Sequence, residues 1–78
     1  MQKNNLQFSV VYQQDLDGGF IATVPALPGC HTQGKDLSQT TFRIKEAIDL
    51  YLESFKSEKS IRQAAQKQIL FGTVMIGG

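Results

Sequence analysis

Leu37, Thr41, Ile44, Ile48, Tyr51 and Phe55 step by four and three along the chain. At 100° per residue they form one narrow stripe, broken by threonine alone and widened by Ala47 and Leu52. Such a stripe predicts an amphipathic helix with one face to bury. Burying its large apolar side chains would contribute roughly 8–15 kcal/mol before chain entropy is charged against it. Asp36 stands where an N-cap belongs, and Gln39 follows three residues later as in a capping box. The chain has 78 residues, which fits one compact domain, 1–78, of marginal stability alone. Domains of this size often lean on a partner subunit.

The segments before the helix read as strands. Leu6, Phe8, Val10 and Tyr12 alternate with Gln7, Ser9, Val11 and Gln13, which predicts a strand over Leu6–Gln14. Asp15-Leu16-Asp17-Gly18-Gly19 supplies hairpin-turn chemistry. Phe20–Val24 is the return strand. Pro25 and Pro28 cannot donate ladder hydrogen bonds, so regular pairing should stop there. Gly29 permits a bend, and Cys30–Gln33 reads as a short third strand ending at Gly34.

After the helix the pattern is weaker. Lys56–Gln68 is polar and reads as either a short second helix or a loop. Ile69–Ile76 reads as a last strand with two largely apolar faces, which wants cover on both sides. The expected fold is α+β: a small, mainly antiparallel sheet with one principal helix on one face, in the order β-β-β-α-β. The helix covers one face of the sheet, and nothing obvious covers the other.

Composition narrows the function classes. The formal net charge is +1, so no overall field points to nucleic acid or membrane. A single cysteine forms no internal disulfide and suits a cytoplasmic location. The N-terminus has no long apolar h-region, and no apolar run reaches the ~18 residues of a membrane span.

The acids are too scattered to read as a metal-dependent hydrolase. Asp15 and Asp17 sit in a turn, and Asp36 caps the helix. Glu46, Asp49 and Glu53 lie opposite the apolar stripe. A two-metal site needs several carboxylates converging. Cys30 and His31 are adjacent, so in a strand they point to opposite faces and cannot ligate one metal together. Asp17-Gly18-Gly19 lacks both the ligand spacing of a calcium loop and the lysine of a phosphate loop. The expectation is therefore no catalytic, metal or cofactor-binding residue. Lys56, Lys59, Arg62 and Lys67 give the region after the main helix a local positive bias, which Glu58 dilutes.

Several of these stretches together resemble one known family. They are Gly18-Gly19-Phe20, the loop Val24-Pro25-Ala26-Leu27-Pro28-Gly29-Cys30, Thr32-Gln33-Gly34, Glu46-Ala47-Ile48 and Tyr51-Leu52-Glu53. In this order and spacing they look like the HicB-type antitoxin domain, over about half the chain. The resemblance implies a partial ribonuclease-H-like fold, self-association, and neutralisation of a HicA-type toxin, a small mRNA interferase that uses histidine. Many such antitoxins also carry a C-terminal DNA-binding segment. None follows the last predicted strand, so direct operator binding by this chain is not expected. Ser38, Gln39 and Thr40 stand where the family often has Glu-Glu-Ala. An orphan ribonuclease-H-like domain, with metal-dependent nuclease or nucleic-acid-binding activity, is the competing reading.

Two surfaces are expected to meet partners. Phe42, Glu46 and Leu50 are spaced i, i+4, i+8 well off the apolar stripe, with Asp49 and Glu53 beside them, and form a ridge suited to a basic toxin. Phe71, Val74 and Ile76 of the last predicted strand are the candidates for self-association into a dimer or larger homo-oligomer.

Overall fold

The computed structural model describes residues 6–55, 58–65 and 69–77. Strands β1 (Val11–Gln14), β2 (Phe20–Thr23) and β3 (His31–Gly34) form one antiparallel sheet in the order β1-β2-β3. Helix α1 (Leu37–Leu52) and a short helix α2 (Glu58–Ala65) follow. The fold is α+β, as expected, and its elements up to the main helix follow the expected order β-β-β-α. Of the ambiguous stretch Lys56–Gln68, residues 58–65 are helical, and Lys56, Ser57, Gln66, Lys67 and Gln68 lie outside the described residues.

The hairpin forms for the reasons its residues supply. Gly18 and Gly19 both adopt positive φ, at 91° and 85°, a region closed to most side chains. The Gly18 amide donates to the Asp15 carbonyl, and the Asp15 amide to the Gly19 carbonyl. Ladder pairing between β1 and β2 starts only at Val11, opposite Thr23. The expected strand over Leu6–Gln14 is thus shortened to its second half. The reason lies across the ladder: after Val24 the chain folds into a corner at Pro25–Gly29, leaving residues 6–10 no strand to pair with. Leu27 donates to the Val24 carbonyl, and Cys30 to the Leu27 carbonyl. Leu27 itself is buried in the core.

Register places Tyr12, Ala22 and Thr32 side by side on one face of the sheet. This is the face α1 covers. Ala22, Val24, Leu27, Cys30 and Ile44 form the buried core, joined by Ala64 of α2. Ala47, Ile48, Tyr51, Leu52 and Phe55 pack against it, half-buried. The opposite face carries Gln13, His31 and Gln33, exposed and polar, among half-buried Val11, Ile21 and Thr23.

The N-terminal turn of α1 departs from the expected stripe. Thr40 is fully buried, while Leu37 and Thr41 are exposed. The cause is a close approach between β3 and the helix at Gly34. A Cβ there would stand 2.6 Å from the Thr40 hydroxyl oxygen and 2.8 Å from the Thr40 nitrogen. The buried hydroxyl is satisfied by donating to the Asp36 carbonyl at 2.7 Å. Exposed Thr41 instead shares a 2.8 Å hydrogen bond with the Tyr12 hydroxyl on β1. Asp36 is the N-cap, its carboxylate accepting from the Gln39 amide at 2.7 Å. The reciprocal bond of the capping box is displaced by one residue: Gln39 Oε1 accepts from the Lys35 amide.

The expected last strand is not formed. Residues 69–77 have no strand or helix assignment, and all but Ile69 are exposed. A strand exists only through pairing, and among the described residues none pairs with this tail.

Candidate functional site

The Asp15–Cys30 stretch is framework. Its two aspartates serve the hairpin, the Asp17 amide lying 3.4 Å from the Asp15 carboxylate. Cys30 is buried, and burial pushes its thiol above the ordinary value of 9.0. His31, its neighbour, faces solvent, so the two diverge as strand alternation requires. Among the described residues, no three His, Cys, Asp or Glu side chains gather in a way that could hold a metal ion. No described helix is long and apolar enough to cross a membrane. Lys59 and Arg62 are exposed on α2, and the other two cations of that region lie outside the described residues.

Helix α1 carries the first candidate surface. Phe42 is 64% exposed and Leu50 is 70% exposed, with Glu46 exposed between them. Asp49 and Glu53 are exposed beside this row. The face exists because α1 buries its opposite side on β2 and β3. Both ends of the helix are tied down. Asp36 caps the first turn, and the Tyr51 hydroxyl donates to the Pro28 carbonyl at 2.8 Å. In mid-helix, Arg43 donates to the Gln33 carbonyl of β3 at 3.0 Å.

A second feature joins two distant parts of the chain. Because α1 sits over β2 and β3, the β1 side of the sheet is left uncovered. An open groove of about 460 Å³ runs there. Phe8, Val10 and Tyr12 line one wall, and Ile44, Ile48 and Leu52 line the other. Sequence reasoning missed this groove. The signal lay in two facts taken together: the apolar alternation that begins at Leu6, and the proline corner that removes its pairing partner. The tail residues Phe71, Val74 and Ile76 are 73%, 81% and 88% exposed. Leu16, at the hairpin tip, is fully exposed.

Known proteins resemble the chain over most of this framework. Residues 8–70 match a family profile described as HicB_like antitoxin of bacterial toxin-antitoxin system. A UPF0150 protein of Archaeoglobus fulgidus is 50% identical over 52 residues, covering 67% of this chain and 75% of the relative. One from Thermoplasma acidophilum is 44% identical over 64 residues, covering 80% of this chain and 93% of the relative. One from Synechocystis is 41% identical over 56 residues, covering 72% and 71% respectively. No solved structure matches the chain significantly.

Proposed function

This chain belongs to the HicB-like antitoxin family of bacterial toxin-antitoxin systems, and from that premise we propose that it neutralises a HicA-type mRNA interferase by binding it through the outward ridge of α1. The family points to a regulatory protein that works by association with a toxin. On this reading the chain performs no catalysis, acts in the cytoplasm as a homo-oligomer, and blocks the toxin by occupying its surface.

The observation that supports the ridge is the pairing of two large exposed apolar side chains, Phe42 and Leu50, with carboxylates between and beside them. Burying the two against a partner would contribute about 3–6 kcal/mol of apolar transfer. Glu46, Asp49 and Glu53 would steer a basic toxin surface into register. The helix is held at both ends, so the row is presented without prior rearrangement.

The test uses the small, basic, histidine-bearing protein expected from the neighbouring reading frame. Co-expression should relieve its toxicity, and the two chains should co-purify. Phe42→Ala combined with Leu50→Ala should weaken binding at least about tenfold while circular dichroism stays unchanged. Unchanged binding by the folded double variant would remove the ridge from the reading. Failure to relieve toxicity, together with RNA cleavage by the purified chain in magnesium or manganese, would overturn the antitoxin role in favour of a nuclease.

A further inference from the structure

We infer that the C-terminal tail of one copy adds as a strand to the free edge of β1 in a second copy, laying one apolar face in the groove beside α1. Two copies would exchange tails reciprocally. The proposal does not depend on the toxin reading, because Phe42, Glu46 and Leu50 do not line the groove, although Asp49 beside them does. Residues 71–77 also lie beyond the family match.

The acceptor is built from backbone and side chains together. Val24 donates to Cys30 across β2 and β3. Antiparallel alternation then turns the backbone groups of Ile21 and Thr23 toward β1, where they meet Gln13 and Val11. The N–H and C=O groups of Tyr12 and Gln14 therefore point away from the sheet, along an open edge. The far edge differs. β3 is polar, and Arg43 already occupies its Gln33 carbonyl. Among the described residues, only the β1 edge combines unpaired backbone with a largely apolar floor.

The donor matches it in length and character. Ile69–Ile76 would span about 26 Å as a strand, and Leu6–Gln14 about 30 Å. No charged residue occurs between Ile69 and Gly77. Both faces of the tail are apolar, so one can fill the groove while the other closes over the partner.

Two measures point to a second copy as the occupant. The chain exposes 6495 Å², where a folded chain of 8.7 kDa should expose about 4,700 Å². The excess, about 1,800 Å², is more than the roughly 800 Å² each partner buries in a standard interface. The radius of gyration is 14.7 Å, against about 11.5 Å for a compact domain of this length. No described residue of the tail lines its own groove. Each copy holds one vacant edge and one unplaced strand, the self-complementary arrangement a two-fold dimer needs. A net charge of +1 per chain sets little repulsion against it.

The experiment pairs light scattering with amide hydrogen exchange on the full chain and on a Phe71→Asp, Val74→Asp variant. Both side chains are exposed in a single copy, so the variant keeps its fold, and it places a charge on each face of the tail. At micromolar concentration the natural chain should have twice the mass of one copy, with slow exchange at the Tyr12 and Gln14 amides. The variant should be monomeric, with exchange at those two amides becoming fast while the amides paired within the sheet stay protected. A monomeric natural chain overturns the proposal; if its Tyr12 and Gln14 amides are protected, the tail folds onto its own edge. A dimer that survives the double substitution, or one whose Tyr12 and Gln14 amides exchange fast, overturns it by placing the contact elsewhere.

Discussion

Gly34→Ala should be among the most damaging single-methyl changes this chain can suffer. The added Cβ would lie 2.6 Å from the Thr40 Oγ1, 2.8 Å from its nitrogen and 3.0 Å from its Cα. Gly34 does not adopt positive φ, so the cost is steric and owes nothing to backbone strain. The hydroxyl could swing aside only by giving up its bond to the Asp36 carbonyl. The helix backbone has no such freedom, so α1 must lift from the end of β3. Overpacking of this kind costs about 1–3 kcal/mol, and loss of the buried hydroxyl bond about 1 kcal/mol more. The sum, about 2–4 kcal/mol, is a large part of the roughly 4–12 kcal/mol expected for a domain of this length. Urea unfolding followed by far-ultraviolet circular dichroism, at one fixed protein concentration, should show the midpoint falling by about 1 M or more. A midpoint within error of the natural chain would show that strand and helix do not approach as described, and the explanation for buried Thr40 would go with it.

Tyr51→Phe removes the hydroxyl that reaches the Pro28 carbonyl and should cost about 0.5–1.5 kcal/mol in the same unfolding assay; no loss would mean that this tie is idle. Burial raises the Cys30 thiol above 9.0, so above that pH the unfolded chain has lost a proton that the folded chain still holds. Stability should therefore be unaffected by this group at neutral pH and decline as pH rises past 9.0. The advantage of the natural chain over Cys30→Ala should shrink over that range, and a constant difference would contradict the assignment.

Helix α1 is legible in the sequence because periodicity, cap and length agree, and the exposed positions of Phe42 and Leu50 follow from its phase. The choice of Thr40 over Leu37 and Thr41 for burial is not legible that way. Residue type argues for leucine, and only the contact with Gly34, a strand away, decides otherwise. The lower half of the first strand fails for a similar reason. Alternation at Leu6–Val10 is a property of that segment, but pairing belongs to two segments, and Pro25 ends the second one early. The tail shows the same limit: its apolar faces say that it needs cover, while a ladder requires a particular edge. α2 carries few large apolar residues, and its place is fixed by the small Ala64 entering a core made elsewhere. The groove was invisible because its walls, residues 8–12 and 44–52, meet only after the hairpin has turned and α1 has crossed.

The anchoring of α1 at three points along its length, by Asp36, Arg43 and Tyr51, bears on how quickly and cheaply its outer face can be recognised. A helix that frays must be re-formed at each encounter, which slows association and adds an ordering penalty to every complex. Here the ends are closed by bonds to the neighbouring corner and cap, and the middle is fixed to β3. A ligand on that face would therefore lose mainly the rotamer freedom of a few side chains, about 0.5–1.5 kcal/mol for each one it immobilises. Its binding heat capacity should then reflect the contact area alone, with no added contribution from helix formation.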